Sequence, residues 1–515
     1  MSNPKPPVVT TKSGKLEGIY QDGLYIFKGI PYAAPTMGEL RWMPPQPVKP
    51  WSGVRKADKF GTVAAQSRPT TGPLAAFVEA EPMSEDCLFL NIWTPSLDNA
   101  KRPVMFWIHG GAFVFGSGSS ISYNSGALAK RGNIVQVTIN YRLGELGFLR
   151  LKDVTGGKIP ATGNEGLLDQ IAALKWVRDN IAAFGGDPKN VTVFGESAGG
   201  MSIGCLLAMP AAKGLFHKAI CESGVGSMSL SLTTANATAE NFLKILGIKG
   251  SDAKALRALT MQQVLDTDAP LKTAMTRPGE APRATVTAPV IDGELIPDIT
   301  NKVARQGSAK EIPVIIGTNR DEWKLFGLMQ PGIAQMDEAA LKVRLATMIM
   351  PAYVPGLIEA YKKALVKRGV KTTPQEILSA IHTDGMFRMP AIELVEAQRD
   401  NGQRSFNYIF DWVSPVLGGM LGACHALEIG FVFGTYNDKF CGAGPEADKL
   451  SQCIQDAWLA FARTGNPSCE CLGKWPEYGK KRLTMILGKN CHVEEAPYED
   501  ERKAWEGVKR FEAMP

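Results

Sequence analysis

The sequence predicts an α/β protein with one central, mostly parallel twisted sheet, flanked by helices and with helical insertions beside the sheet. Three observations predict it. Short apolar runs alternate with helical patterns through the first two-fifths of the chain, an order that favours a parallel sheet covered by helices. A serine between glycines, Gly195-Glu-Ser-Ala-Gly199, joins a strand-like run to a helix-like one. Sheet-like runs return after each of two long helical stretches.

In chain order, Val104–Ile108 reads as a buried strand and Ile134–Ile139 as a second. Between Leu167 and Phe184, apolar residues recur at Leu168, Ile171, Ala172, Leu174, Trp176 and Val177, which is helical spacing. Gly185-Gly-Asp-Pro188 interrupts that helix, and Val191–Phe194 is strand-like again. Met201-Ser-Ile-Gly-Cys-Leu-Leu continues as a helix. Lys218–Cys221, Val314–Ile316 and Phe406–Phe410 are further strands. The stretches at about 235–304 and 337–399 are helical and read as insertions packed beside the sheet. The whole chain, 1–515, therefore reads as a single domain.

Bulk properties exclude several classes. Net charge is +6, from 57 Lys+Arg against 51 Asp+Glu. No run of five or six basic residues exists, and Lys362 to Lys371 alternates with apolar residues as a solvated helix face does. No nucleic-acid partner is expected. The first residues, Met-Ser-Asn-Pro-Lys-Pro-Pro, lack the apolar run of a secretory signal, and no stretch is long and apolar enough to span a bilayer. A cytoplasmic protein is expected, although a trimmed secreted chain would look the same. The odd count of nine cysteines predicts free thiols in a reducing compartment. A disulfide among Cys441, Cys453, Cys469 and Cys471 is the second reading. Cys469 and Cys471 are one residue too close for C-x-x-C, so no metal site is expected.

The serine motif carries the chemistry. G-x-S-x-G between a strand and a helix forms a sharp turn that lifts the serine hydroxyl off the sheet. Glycines stand two residues either side because neighbouring backbone comes too close for a Cβ. A hydroxyl is a poor nucleophile at neutral pH, so Ser197 needs a base, and the base needs an orienting acid. Only five histidines are present. His109 ends a strand, His217 lies on a surface turn and His492 in a polar loop. His382 and His425 both follow the serine, as the order serine, acid, histidine requires. His425 stands in the glycine-rich loop Gly418-Gly-Met-Leu-Gly-Ala-Cys-His, whereas His382 follows the helical run Ile377–Ile381. Loops at the end of a sheet carry chemistry more often than helix faces do, which selects His425. For the acid, Asp321 and Glu322 both lie just beyond the strand ending near Ile316. Spacing leaves both open.

Several segments together resemble the type-B carboxylesterase and cholinesterase family. They are Ser84-Glu-Asp-Cys-Leu-Phe-Leu-Asn91, Trp107-Ile-His-Gly-Gly-Ala-Phe113, Asn140-Tyr-Arg142, Gly163-Asn-Glu-Gly-Leu-Leu-Asp-Gln170, Phe184-Gly-Gly-Asp-Pro188, Phe194-Gly-Glu-Ser-Ala-Gly-Gly200, Arg320-Asp-Glu322, Cys424-His425 and Ala460-Phe-Ala-Arg-Thr-Gly-Asn-Pro467. They run in the family's order from about Val8 to beyond Trp475. The resemblance implies an α/β-hydrolase fold and cleavage of small-molecule carboxylic esters through an acyl-enzyme, without cofactor. It selects Glu322 as the acid, beside Ser197 and His425, and leaves Asp321 a structural role. It implies an oxyanion hole of the backbone N–H groups of Gly111, Ala112 and Ala198. Relatives with this glycine-rich arrangement accept bulky alcohols, so tertiary-alcohol esters fall within the implied range. Glu196 and Ser223 resemble a hydrogen-bonded support around the triad, and the pairs Arg41 with Glu85 and Arg142 with Asp169 resemble structural salt bridges.

Two departures narrow the family. The cysteine matching Cys87 closes a disulfide in secreted animal members, but Ala64 stands at the partner position and no cysteine precedes Cys87. No tryptophan lies between Phe60 and Cys87, where cholinesterases carry their choline-binding ring. A bacterial-type carboxylesterase is implied, not a cholinesterase. Catalytically silent adhesion-type members lack a triad residue, and here all three are present. An amidase, carbamate or lactone hydrolase on the same machinery is the nearer rival. Phe113, Phe115 and the segment Met336–Met350 are candidates to line the pocket, with plain core packing as the alternative. An imidazole near its ordinary pKa predicts that activity fades below about pH 6 to 7.

Overall fold

The computed structural model describes residues 6–68, 81–226, 228–276, 285–330 and 332–509. Its main sheet has eleven strands. In chain order these are β1 (Ile19–Gln21), β2 (Leu24–Pro31), β3 (Phe89–Thr94), β4 (Arg102–Ile108), β5 (Val135–Ile139), β6 (Gly186–Glu196), β7 (Lys218–Glu222), β8 (Val314–Asn319), β9 (Ser405–Phe410), β10 (Leu483–Leu487) and β11 (His492–Glu495). Across the sheet they lie in the order β1-β2-β3-β5-β4-β6-β7-β8-β9-β10-β11. From β5 to β10 every neighbouring pair is parallel, and the strands at either end are antiparallel.

The apolar runs are continuous because both faces of the parallel strands are covered. Along β4, Val104, Phe106 and Ile108 point to one core, while Met105 and Trp107 point to the other. The first core is closed by helices α1 (Glu165–Asn180), α2 (Ala198–Ala208) and α3 (Met389–Asp400), through Leu167, Leu174, Met201, Ile203 and Leu394. The second is closed by α4 (Pro445–Thr464) through Trp458 and Phe461. Helix α2 is buried along its whole length, which explains its lack of a polar face.

Both predicted insertions are helical, each with its own apolar cluster. Leu232–Leu246, Ala253–Arg257, Met261–Leu265 and Asp268–Met275 gather Phe242, Leu256 and Leu271 around Trp42 and Leu151. Residues 277–284 of that stretch lie outside the described residues. In the second, Val354–Lys367 and Pro374–Thr383 pack Leu357, Tyr361, Ile377 and Ile381 against Trp505.

Four expectations need correction. Strand β6 begins at Gly186 and not at Val191, because Gly185, at φ 79°, ends the helical turn alone and its neighbour already pairs with β4. His492 stands in edge strand β11, whose four exposed residues show no apolar alternation to betray it. Cys453 and Cys471 form a disulfide, with Cα atoms 5.2 Å apart. One partner lies inside α4 and the other on the loop behind it, a closeness set by tertiary folding and not by spacing. Among the described residues the other seven cysteines are free, Cys87 included. The Met336–Met350 segment feeds the Trp505 cluster through Met336, Leu341, Leu345 and Ile349, and Phe113 is fully buried against Phe148.

The two implied salt bridges are present. Arg142 holds Asp169 with both arms, at 2.8 and 2.7 Å, and both residues are buried. Arg41 grips Glu85 likewise, with Nε at 2.6 Å and a second contact through Nη2. Paired forks of this kind are among the stronger ionic hydrogen bonds. No helix among the described residues is long and apolar enough to cross a membrane.

Candidate active site

Ser197 sits between β6 and α2 at φ 55° and ψ −122°, a combination that L-residues rarely adopt. The turn is crowded as the motif requires. A Cβ at Gly195 would lie 2.6 Å from the carbonyl oxygen of Ile108, and one at Gly199 would lie 2.0 Å from the same atom. The bend is held by Ser197 N–H donating to Glu222 O at 2.9 Å. The Ser197 side chain is partly exposed, and its hydroxyl makes no hydrogen bond among the described residues.

His425 lies on the loop after β9, and Glu322 on the loop after β8. His425 Nδ1 donates to Glu322 Oε2 at 2.7 Å. Glu322 Oε1 accepts from Asn319 N–H at 2.7 Å, so both carboxylate oxygens are engaged. His425 Nε2 faces Glu196 Oε1 at 3.1 Å, on the residue next to Ser197. The acid-to-histidine link is thus in place, while the free ring nitrogen is turned to the neighbour of the serine. Asp321 takes the structural role: its Oδ2 accepts from Ala423 N–H and from Arg320, each at 2.9 Å, and its own N–H donates to Ala423 O. Ser223 donates to Glu428 Oε1 at 3.0 Å. Asn319 Nδ2 donates to Cys424 O at 2.7 Å and to Glu428 Oε2 at 2.5 Å.

Three buried glutamates, Glu196, Glu322 and Glu428, therefore stand close to one imidazole, and a fourth, Glu222, acts on Glu196. Burial pushes Glu428 up to about 7 and Glu222 up to about 8, the latter against a hydrogen bond from Trp458 Nε1. Burial also drives Glu196 well above the usual carboxylate range, and the charges of Glu428, Glu322 and Glu222 add to it. For His425 burial acts the other way, but Glu196 and Glu322 outweigh it and raise the ring to about 9. The carboxylates around His425 thus favour its charged form. His109 and His382, buried away from any carboxylate contact, fall to about 4.

The loop after β4 carries Gly111 and Ala112, expected from the family resemblance to supply oxyanion donors. Gly111, Ala112 and Phe113 all have positive φ, at 106°, 53° and 64°. A Cβ on Gly111 would meet Phe115 O at 2.1 Å, so only glycine fits there. For Ala112 and Phe113 the left-handed backbone costs roughly 1–2 kcal/mol each. The N–H groups of Gly111, Ala112 and Ala198 make no backbone hydrogen bond among the described residues. Gly110 abuts the serine: a Cβ there would lie 3.1 Å from Ser197 Cβ.

Comparison with known proteins decides the family. A family model described as the carboxylesterase family matches residues 5–505. The chain belongs to the carboxylesterase family. Its reaction class is the hydrolysis of carboxylic esters, and its fold is the α/β-hydrolase fold. It is 39% identical over 505 residues to the para-nitrobenzyl esterase of Bacillus subtilis (strain 168), covering 96% of this chain and 98% of that one. It is 35% identical to the phenmedipham hydrolase of Pseudarthrobacter oxydans, covering 92% and 93%. A Geobacillus stearothermophilus carboxylesterase structure superposes with a TM-score of 0.86 at 40% identity, covering 97% of this chain and 99% of that one.

Sequence reasoning passed over four residues of this carboxylesterase site. Glu428 follows His425 by three residues and Asn319 precedes Arg320-Asp-Glu322, so both stood beside named motifs. Phe326 and Phe387 flank the imidazole at ring distances of 4.9 and 5.0 Å. No sequence signal distinguished those rings from core, since one comes from the helix after Glu322 and the other from a π-helical turn inside the second insertion.

Proposed function

We propose that this carboxylesterase cleaves its esters with Ser197 as nucleophile, His425 as base and acid, and Glu322 orienting the imidazole. The observation that carries the reading is the 2.7 Å bond from His425 Nδ1 to Glu322, which turns Nε2 toward Glu196, the residue next to Ser197 in its strained turn. To act as base, Nε2 must turn from Glu196 to the hydroxyl of the next residue, Ser197, and such bonds commonly tighten only once substrate is bound. Nε2 takes the hydroxyl proton as Oγ bonds to the ester carbonyl carbon, and the carbonyl electron pair moves onto oxygen. The N–H groups of Gly111, Ala112 and Ala198 receive that oxyanion, each worth about 3 kcal/mol as a removal cost. The intermediate collapses, the alcohol leaves with the proton from Nε2, and water repeats the sequence on the acyl-enzyme. Glu196 and Ser223 support the site, Glu196 by its charge toward Nε2 and Ser223 by fixing Glu428.

A fluorophosphonate probe tests the reading, because it labels only an activated serine. Label on Ser197, absent from Ser197→Ala, is the expected result. An unlabelled but folded protein would sink it. Turnover of p-nitrophenyl esters, with much slower turnover of the matching anilides, separates esterase from amidase.

The raised imidazole changes the pH dependence drawn from sequence. A base must be neutral to act, so kcat/KM should still be climbing between pH 7 and 9 instead of levelling off near 7. Glu196→Gln removes the charge facing Nε2, and the acidic limb should slide down toward the ordinary imidazole value of about 6.5. Profiles measured from pH 5 to 10 decide this. Identical limbs in the two proteins would contradict the role given to Glu196.

A further inference from the structure

We propose that Gln66 is a positioning residue for the oxyanion donors, holding the turn from Gly110 to Gly116 in its strained shape; this rests on the assignment of Ser197 and those donors above. The turn has little to hold it from within. Val114 N–H and Phe115 N–H both donate to Gly111 O, at 3.0 and 3.1 Å, and Gly144 N–H donates to Phe113 O at 2.8 Å. Those bonds close the tip. At the neck stands Gly116, φ 110°, pressed so closely on the strand end that a Cβ there would lie 2.6 Å from His109 Nδ1 and 2.7 Å from Gly110 O.

Gln66 grips that neck. Its Oε1 accepts from Gly116 N–H at 2.9 Å, and its Nε2 donates to Gly116 O at 3.1 Å and to Ala64 O at 2.9 Å. The side chain is buried. One amide thus satisfies both backbone groups of Gly116 as a neighbouring strand would, and no other residue bonds either group among the described residues. Just beyond, Ser117 donates to Glu81 at 2.6 Å and Ser119 donates to the same carboxylate. Gln66 and Glu81, both distant in sequence, therefore brace the loop whose N–H groups must meet an oxygen that exists only after attack.

A strained backbone persists only where its surroundings over-determine it. Without the amide, Gly116 can swing away from Gly110, and the donors at Gly111 and Ala112 drift with it. Misplacement of about 1 Å can cost about 100-fold in rate. Among the described residues Gln66 bonds only backbone groups of Ala64 and Gly116, so ground-state binding should hold.

The test is Gln66→Met, which keeps the side-chain length and removes both hydrogen-bonding arms. The expected result is a 10- to 100-fold fall in kcat, KM within about twofold, and a matching loss of affinity for a trifluoromethyl ketone, whose serine adduct places an oxyanion among these donors. Unchanged kcat, or a fall in kcat with unchanged ketone affinity, overturns the proposal. Should Gln66→Met fail to fold, Gln66→Glu retains the acceptor for Gly116 N–H and loses the donor; its kcat should fall by a smaller factor, and wild-type kcat would overturn the proposal equally. Fluorophosphonate labelling of the wild-type enzyme separates the two ideas. No label defeats the Ser197 assignment, whereas label with a fully active Gln66→Met defeats only this one.

Discussion

Replacing Ser197 by alanine is expected to lower kcat by about a million-fold, the loss seen when a serine nucleophile is removed from comparable triads, while leaving the fold in place. Chemistry and stability separate here for a structural reason. The Ser197 hydroxyl makes no hydrogen bond among the described residues, so its removal leaves no buried partner unpaired. The turn is held by backbone, through Ser197 N–H to Glu222 O and Met201 N–H to Ser197 O, and alanine keeps both. Alanine also carries the same Cβ, so the strain at φ 55° is neither relieved nor increased. Calorimetry should therefore give a Tm within a few degrees of wild type. Turnover within tenfold of wild type would place the nucleophile elsewhere.

The second large effect is expected for Glu322→Gln, a drop of about 10⁴ in kcat with KM little changed. The direction in which the new amide points follows from its neighbour. Asn319 N–H donates to Glu322 Oε1, so the glutamine must present its oxygen there and its NH₂ to His425. His425 Nδ1 then has to accept, which puts the imidazole proton on Nε2, the nitrogen that must be free to take the serine proton. The ring keeps its place with the wrong tautomer. Single-turnover acylation of a p-nitrophenyl ester measures the step directly. A fall of less than tenfold would mean that Glu322 does not orient the base. Asp321→Asn, by contrast, acts on the pairing with Arg320 and Ala423.

Much of this site was legible because chain order carried it. Ser197, Glu322 and His425 follow strands β6, β8 and β9, and each strand announced itself as a short, mainly apolar run, since both faces of a parallel sheet are covered. Asp321 and Glu322 were not separable by spacing, because both extend from the same strand end; in the fold Asp321 bonds to Ala423 and Glu322 to His425, which supports the proposed role of Glu322. The high pKa of His425 was not legible either. It arises from carboxylates on β6 and on two other loops, and their convergence exists only in the folded chain. The same holds for Phe326 and Phe387, and for the disulfide from Cys453 in the middle of α4. An edge strand such as β11 is invisible for the opposite reason: with neither face buried, its residues carry no apolar pattern at all.

The reciprocal bonds between Asp321 and Ala423 have a mechanical result. Strands β8 and β9 are paired in register up to Asn319 and Phe410, and just past that point the two loops are clasped again, amide to carbonyl in one direction and amide to carboxylate in the other. The acid and the imidazole therefore ride on one stiff plank. The strained turn at Ala112 and Phe113 belongs to a separate loop, after β4, so a change of shape there need not disturb the distance between acid and imidazole.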